Sequence, residues 1–217
     1  MVLRINDVAP DFAAQTTQGQ ISFHDWLGDS WGVLFSHPKD FTPVCTTELG
    51  ALAGLQDEFA ARDVKVIGLS VDPADDHARW LTDIGDVTGH VPAYPIIADT
   101  DLAVAKLYDM LPADAGDTSE GRTAGDNATA RSVFIIGPDK KIKLTLTYPM
   151  TTGRNFAELV RVLDSIQLTA SEQVATPANW NQGDDVIVVP SVSDEDAAAK
   201  YDDVNTVLPY LRYVKQP

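Results

Sequence analysis

The stretch Ser36-His37-Pro38-Lys39-Asp40-Phe41-Thr42-Pro43-Val44-Cys45-Thr46-Thr47-Glu48-Leu49 decides the reading of this chain: it joins a strand to a helix and holds the only cysteine among 217 residues. Upstream, Trp31-Gly32-Val33-Leu34-Phe35 is a short apolar run of the buried-strand type. Downstream, Leu49, Leu52, Leu55 and Phe59 recur at helical spacing and predict one long helix up to Asp63. Cys45 therefore falls in the helix's first turn. Pro43 suits the first helical position, where its missing N–H costs nothing, and Thr42 is the N-cap candidate with its hydroxyl near the sulfur. The unpaired N–H groups and the positive dipole end of that turn favour a thiolate over a thiol. Pro38 stiffens the entry and roofs the sulfur.

Outward from this stretch, strands and helices alternate. Residues 11–23 read as two short strands around Thr17-Gln18-Gly19, and Val64 to Val71 is apolar on both faces, as a central parallel strand should be. A helix is expected from Asp75 to about Thr88, a strand over Tyr94–Ala98 and a third helix from Asp101 to Leu111. Residues 112–128 have almost nothing to bury and form the longest loop, placed near the site mouth. Ser132 to Ile136 then turns at Gly137-Pro138-Asp139-Lys140 into the alternating Ile142–Thr147, an antiparallel hairpin. Phe156, Leu159, Val160, Leu163 and Ile166 stripe a last long helix. This order predicts a thioredoxin-like α/β fold, a central mixed sheet flanked by helices. A boundary near Thr169–Glu172 separates a larger first domain, 1–170, from a small α+β domain, 171–217, with a strand in 183–190 and a helix capped by Ser193. The second piece is too small to stand alone and must pack on the first or on a second subunit.

Sixteen basic against thirty-two acidic residues leave a formal charge of −16, a surface that repels nucleic acid and anionic membranes and also suits high salt. No apolar run reaches the length of a membrane span, and Met1-Val2-Leu3-Arg4-Ile5-Asn6-Asp7 lacks the pattern of a signal peptide. With one cysteine and no internal disulfide, the expected compartment is the reducing cytoplasm. The four histidines, His24, His37, His77 and His90, show no metal-ligand spacing, and there is no phosphate loop, dinucleotide fingerprint or C-x-x-C pair. Neither cofactor nor metal is expected.

Pro38-x-x-x-Thr42-x-x-Cys45 resembles the active-site motif of the peroxiredoxins, in the alkyl hydroperoxide reductase/thiol-specific antioxidant family. His37 before the proline and Val44 before the cysteine resemble its 1-Cys, peroxiredoxin-6-like branch. Ala175-Thr176-Pro177-Ala178-Asn179-Trp180 and Leu211 to Pro217 resemble that branch's C-terminal domain, so the likeness covers nearly the whole chain. It implies a thiol-dependent peroxidase that reduces hydrogen peroxide and organic hydroperoxides through Cys45, and a homodimer or larger oligomer with 171–217 in the interface. The chemistry needs a cation to steady the thiolate and the departing oxygen. Arg131 is the candidate, in Thr129-Ala130-Arg131-Ser132-Val133-Phe134, which resembles the family segment bearing the active-site arginine. Arg154 in Thr151-Thr152-Gly153-Arg154-Asn155-Phe156 matches a second family arginine. His37 matches a family histidine close to the sulfur, and Glu48 a glutamate that links the arginines. Since each subunit has only one sulfur able to react, a sulfenic acid at Cys45 must be recycled by an external thiol, glutathione or a thioredoxin-like protein.

Two other readings remain open at this stage. Gly28-Asp29-Ser30-Trp31-Gly32 fits G-x-S-x-G, with His24 before it and Asp139 after, as a lipid-ester hydrolase of phospholipase type would have. A nucleophile elbow, however, puts its serine after a strand, whereas Ser30 precedes one. The third reading is a holdase whose cysteine only senses oxidants.

Overall fold

The computed structural model describes residues 3–112 and 128–217. The predicted loop 112–128 lies outside these residues except at its two ends. The chain divides into two compact units, Met1–Phe156 and Ala157–Pro217.

The first unit opens with the hairpin β1 (Ala13–Thr16) and β2 (Gly19–Ser22), followed by the short helix α1 (Phe23–Leu27). Then come β3 (Trp31–Ser36), α2 (Pro43–Ala53), α3 (Gln56–Ala60), β4 (Val64–Ser70), α4 (Ala74–Thr88), β5 (Ile96–Ala98), α5 (Ala103–Leu107), β6 (Arg131–Ile136) and β7 (Ile142–Tyr148). Seven strands form one sheet in the order β2-β1-β5-β4-β3-β6-β7, with β3, β4 and β5 parallel and the remaining pairings antiparallel. That is the expected mixed sheet. Its central strands are apolar on both sides: Val33, Leu34, Phe35, Ile67 and Leu69 are fully buried.

Two helices differ from their periodicity. The single helix read over 43–63 is two, because Gly54 is a poor helix former and Leu55 leaves the helical region at φ −105°, ψ 9°. Gln56 then seals the break, its amide donating to the Ala53 carbonyl at 2.9 Å and accepting from the Ala93 N–H at 2.5 Å. The helix read over 101–111 shrinks to α5, since Leu102 and Asp109 at its two ends are both left-handed, φ 62° and 54°. Asp99 fixes where it starts by accepting from the Val104 and Ala105 N–H groups. Helix α4 runs where expected, and the left-handed Gly89 closes it. Gly50 lets α4 lie close to α2, for a Cβ there would stand 2.4 Å from the Thr88 side chain.

In the second unit, α6 (Phe156–Ser171) is followed by β8 (Val174–Ala175), β9 (Val186–Val188), α7 (Asp194–Lys200), β10 (Asn205–Leu208) and β11 (Leu211–Val214). The domain boundary expected at 170/171 falls at the end of α6, which beyond its first residue groups with this unit. The strands make an antiparallel sheet in the order β10-β11-β9-β8, around a core of Trp180, Val186, Val188, Ala197 and Val214. Ser193 caps α7 as predicted, its hydroxyl accepting from the Asp196 N–H at 3.0 Å. No helix among the described residues is long and apolar enough to cross a membrane.

Candidate active site

Strand β3 ends at Ser36, and residues 37–42 carry the chain to α2. Pro43 takes the first helical position and Thr42 the N-cap, but the Thr42 hydroxyl bonds no helix N–H and instead donates to the Lys39 carbonyl at 2.8 Å. Thr42 thus ties the loop to itself rather than capping the helix. Pro38 is buried within this loop. Cys45 lies in the first turn, free and fully buried.

Arg131 at the head of β6 reaches the sulfur, with Nη1 3.3 Å from Cys45 Sγ. The same nitrogen lies 2.5 Å from Glu48 Oε2, one turn along α2 from the cysteine. The far edge of the guanidinium is pinned as well, Nε and Nη2 donating to the Met150 carbonyl at 2.9 and 2.6 Å. Arg154 holds Glu48 from the other side. Its backbone N–H and Nε donate to Oε1 at 2.7 and 2.9 Å, its Nη2 to Oε2 at 2.8 Å, and its Nη1 to the carbonyls of Ser36 and Ser132. The Arg154 guanidinium also stacks on the rings of Phe35 and Phe156. Burial pushes the Glu48 carboxyl up, but the hydrogen bonds and charge of Arg154, with the charge of Arg131, outweigh it and hold Glu48 below the ordinary carboxylate range. Two buried guanidinium groups thus face one buried carboxylate. The positive charge left over is balanced when the sulfur is a thiolate.

His37 belongs to a neighbouring network. Its Nε2 lies 2.7 Å from Asp40 Oδ1, and His77 Nδ1 on α4 lies 2.5 Å from Asp40 Oδ2. The ligand atoms of these three residues fall within 4.8 Å of one another. A tetrahedral zinc with bonds of about 2.0–2.1 Å would hold its ligand atoms about 3.3 Å apart; separations of 2.5 and 2.7 Å are those of hydrogen bonds. Burial pushes the Asp40 carboxyl up, but hydrogen bonds from both imidazoles more than offset it and bring it down to about 2. Burial also keeps the His37 imidazole below its usual range, against the pull of Asp40. Because ionised Asp40 only accepts, His37 donates from Nε2, and its buried Nδ1 has no partner among the described residues. Sequence spacing missed this cluster. Its trace was Asp40, three residues after His37, and the i, i+3 pair His77 and Trp80 on α4.

The three residues of the hydrolase reading are engaged elsewhere and share no hydrogen bond. Ser30 donates to Asp63 at 2.8 Å, His24 Nε2 sits 2.8 Å from the Ala9 carbonyl, and Asp139 pairs with Lys143 at 2.7 Å. Ser30 lies just before β3, so the elbow context is absent.

A cysteine at a helix start, sharing an arginine with a buried carboxylate on a thioredoxin-like sheet, has the parts a thiol peroxidase needs. The chain matches the AhpC/TSA family model over residues 5–145 and the C-terminal domain of 1-Cys peroxiredoxin over residues 165–203. It is 53% identical over 214 residues to Peroxiredoxin PRX1, mitochondrial, of Saccharomyces cerevisiae, covering 98% of this chain and 81% of that protein. Against Peroxiredoxin-6 of Gallus gallus it is 52% identical over 225 aligned residues, covering 99% and 98%. A solved structure of the yeast mitochondrial 1-Cys peroxiredoxin, concerned with thiol resolution via the glutathione/thioredoxin systems, matches with a TM-score of 0.91 at 52% identity, covering 99% of this chain and 100% of that one. The chain belongs to the AhpC/TSA family, in its 1-Cys peroxiredoxin branch. It is an antioxidant oxidoreductase, a thiol-dependent peroxidase with a single reactive cysteine.

Proposed function

We propose that Cys45 is the peroxidatic nucleophile for hydrogen peroxide and organic hydroperoxides, and that Arg131 steadies the charge that moves during attack. The observation carrying this reading is the shared nitrogen, Arg131 Nη1, 3.3 Å from Sγ and 2.5 Å from Glu48. The thiolate attacks one peroxide oxygen, the S–O bond forms as the O–O bond breaks, and the departing hydroxide or alkoxide takes a proton. Charge then moves from sulfur to the leaving oxygen, so a fixed guanidinium stabilises the transition state without reorganising. Glu48 and Arg154 keep Arg131 in place, Thr42 and Pro38 shape the entrance, and His37 lines the loop beside it.

The sulfenic acid condenses with an external thiol, releasing water and leaving a mixed disulfide that a second thiol cleaves. Glutathione or a thioredoxin-like protein is our reading of that reductant, supported by the yeast structure described above and by the single cysteine. We place the reaction in the cytoplasm, where such thiols are abundant; a mitochondrial relative shows that the branch is not confined there. We also read the working unit as a homodimer, an assembly that would cover the exposed Val207, Leu208 and Tyr210 of the second unit. Stopped-flow oxidation of reduced protein by hydrogen peroxide and tert-butyl hydroperoxide, followed by glutathione or thioredoxin, tests the reading. Rapid Cys45 oxidation and recovery by one of these thiols support it; an inert Cys45 refutes it. Light scattering at micromolar concentration tests the dimer, and a monomer would overturn it.

A further inference from the structure

Helix α4 grips the peptide on both sides of Cys45. Ahead of the cysteine, His77 holds Asp40; beyond it, Trp80 Nε1 donates to Thr46 Oγ1 at 3.2 Å. Trp80, one turn along from His77, also packs against the rings of His37 and Phe41, 5.3 and 6.2 Å between centroids. The loop between these grips has reason to need them. Phe41 sits at φ 54°, a left-handed conformation that an aromatic residue adopts only when its surroundings impose it. Asp40 is where those surroundings converge. Its two carboxylate oxygens meet His37 and His77, and its N–H donates at 2.9 Å to Asp72, which Ser70 holds at 2.7 Å. All five side chains are buried. His77 is a fixed post, for its other nitrogen, Nε2, lies 3.2 Å from the Ile97 carbonyl of β5.

We propose that His77 is a positioning residue for the peroxidase reaction: by holding Asp40 it fixes His37 and the strained loop 37–42, and so sets the start of α2 and the approach to Cys45. This rests on Cys45 as the nucleophile. Peroxide attack requires sulfur, oxygen and Arg131 in near-attack geometry, and a loop freed from α4 loses that geometry. Resolution makes a different demand. Cys45 is fully buried, so an external thiol reaches its sulfenic acid only after the loop yields. The tie to His77 therefore serves oxidation and not reduction. Without the imidazole, Asp40 Oδ2 would be a buried charged oxygen short of its donor, and the loop would shift to satisfy it.

The test measures the two half-reactions separately in wild type, His77→Leu and His77→Asn, using hydrogen peroxide as oxidant and dithiothreitol as reductant. His77→Leu removes the donor; His77→Asn keeps an N–H where Nδ1 stands. We expect His77→Leu to be oxidised at Cys45 at least roughly tenfold more slowly, with dithiothreitol reduction of the sulfenic acid equal to wild type or faster, and His77→Asn to recover to within about threefold. Oxidation of His77→Leu at the wild-type rate overturns the proposal. So does equal slowing of both half-reactions, or an asparagine variant as slow as the leucine one. Should His77→Leu fail to fold, Asp40→Asn decides: slow oxidation with dithiothreitol reduction unimpaired, in a protein still folded at the assay temperature, supports the tie, and wild-type oxidation refutes it. A wild-type protein whose Cys45 does not react with peroxide would count against the nucleophile assignment, a distinct result.

Discussion

Arg154 closes on Glu48 through both carboxylate oxygens and its own backbone, with N–H and Nε on Oε1 at 2.7 and 2.9 Å and Nη2 on Oε2 at 2.8 Å. Both side chains are buried, so removing the carboxylate leaves the Arg154 guanidinium without its counter-charge. Glu48→Ala should lower stability by about 3–5 kcal/mol, the cost of breaking a buried ion pair from one side. Urea unfolding measures this, and a loss below about 1 kcal/mol would show that the pair is not the anchor described.

Arg131→Met should leave the fold intact, because Arg154 still serves Glu48, while slowing Cys45 oxidation by about 10²–10³-fold, the usual cost of removing one preorganised charge-stabilising donor. Stopped-flow fluorescence with hydrogen peroxide reads the rate. A rate equal to wild type would remove Arg131 from the chemistry.

Acid should weaken the protein through Asp40. Its carboxyl is lowered from 3.8 to about 2, so between these values the folded state binds fewer protons than the unfolded chain. The stabilisation is complete above roughly pH 5, amounts to about 2 kcal/mol, and disappears as the pH falls through the window toward 2. The lowered Glu48 carboxyl acts in the same direction. Asp40→Asn should therefore be less stable than wild type at pH 7, with the gap closing by about 2 kcal/mol between pH 5 and pH 2. A gap independent of pH would contradict the assignment of Asp40 as a buried carboxylate held by two imidazoles.

Ser30→Ala should change neither peroxidase rate nor stability beyond about 0.5 kcal/mol, because its hydroxyl only donates to Asp63 at an exposed turn. Ester turnover that disappears in Ser30→Ala but survives in Cys45→Ser would restore the hydrolase reading.

What was legible in the sequence was whatever is local. The apolar runs at 31–35 and 64–71, the alternation at 142–147 and the stripe led by Leu159 and Leu163 appear as β3, β4, β7 and α6, since period and burial are properties of neighbouring residues. Helix α1, with five residues, and β8, with two, are too short to carry a period, and the break at Gly54–Leu55 is sealed by a tertiary contact from Ala93 to Gln56 that no local pattern announces. The site divides in the same way. Cys45, Thr42 and Pro43 were readable from strand-to-helix chemistry, and Arg131, Arg154 and Glu48 from the motif likeness. His77 meets Asp40 across 37 residues, and the Met150 carbonyl meets Arg131 across 19, contacts that only the folded sheet creates.

The central claim is that one buried sulfur does the chemistry and waits for a thiol from outside. Mass spectrometry of reduced protein treated with one equivalent of hydrogen peroxide tests it most directly. The account predicts one added oxygen on Cys45, further oxygens as peroxide is raised, return to the thiol when glutathione or thioredoxin is supplied, and no reaction in Cys45→Ser. A one-equivalent product that is a Cys45–Cys45 disulfide between subunits, turning over with no outside thiol bound, would contradict it.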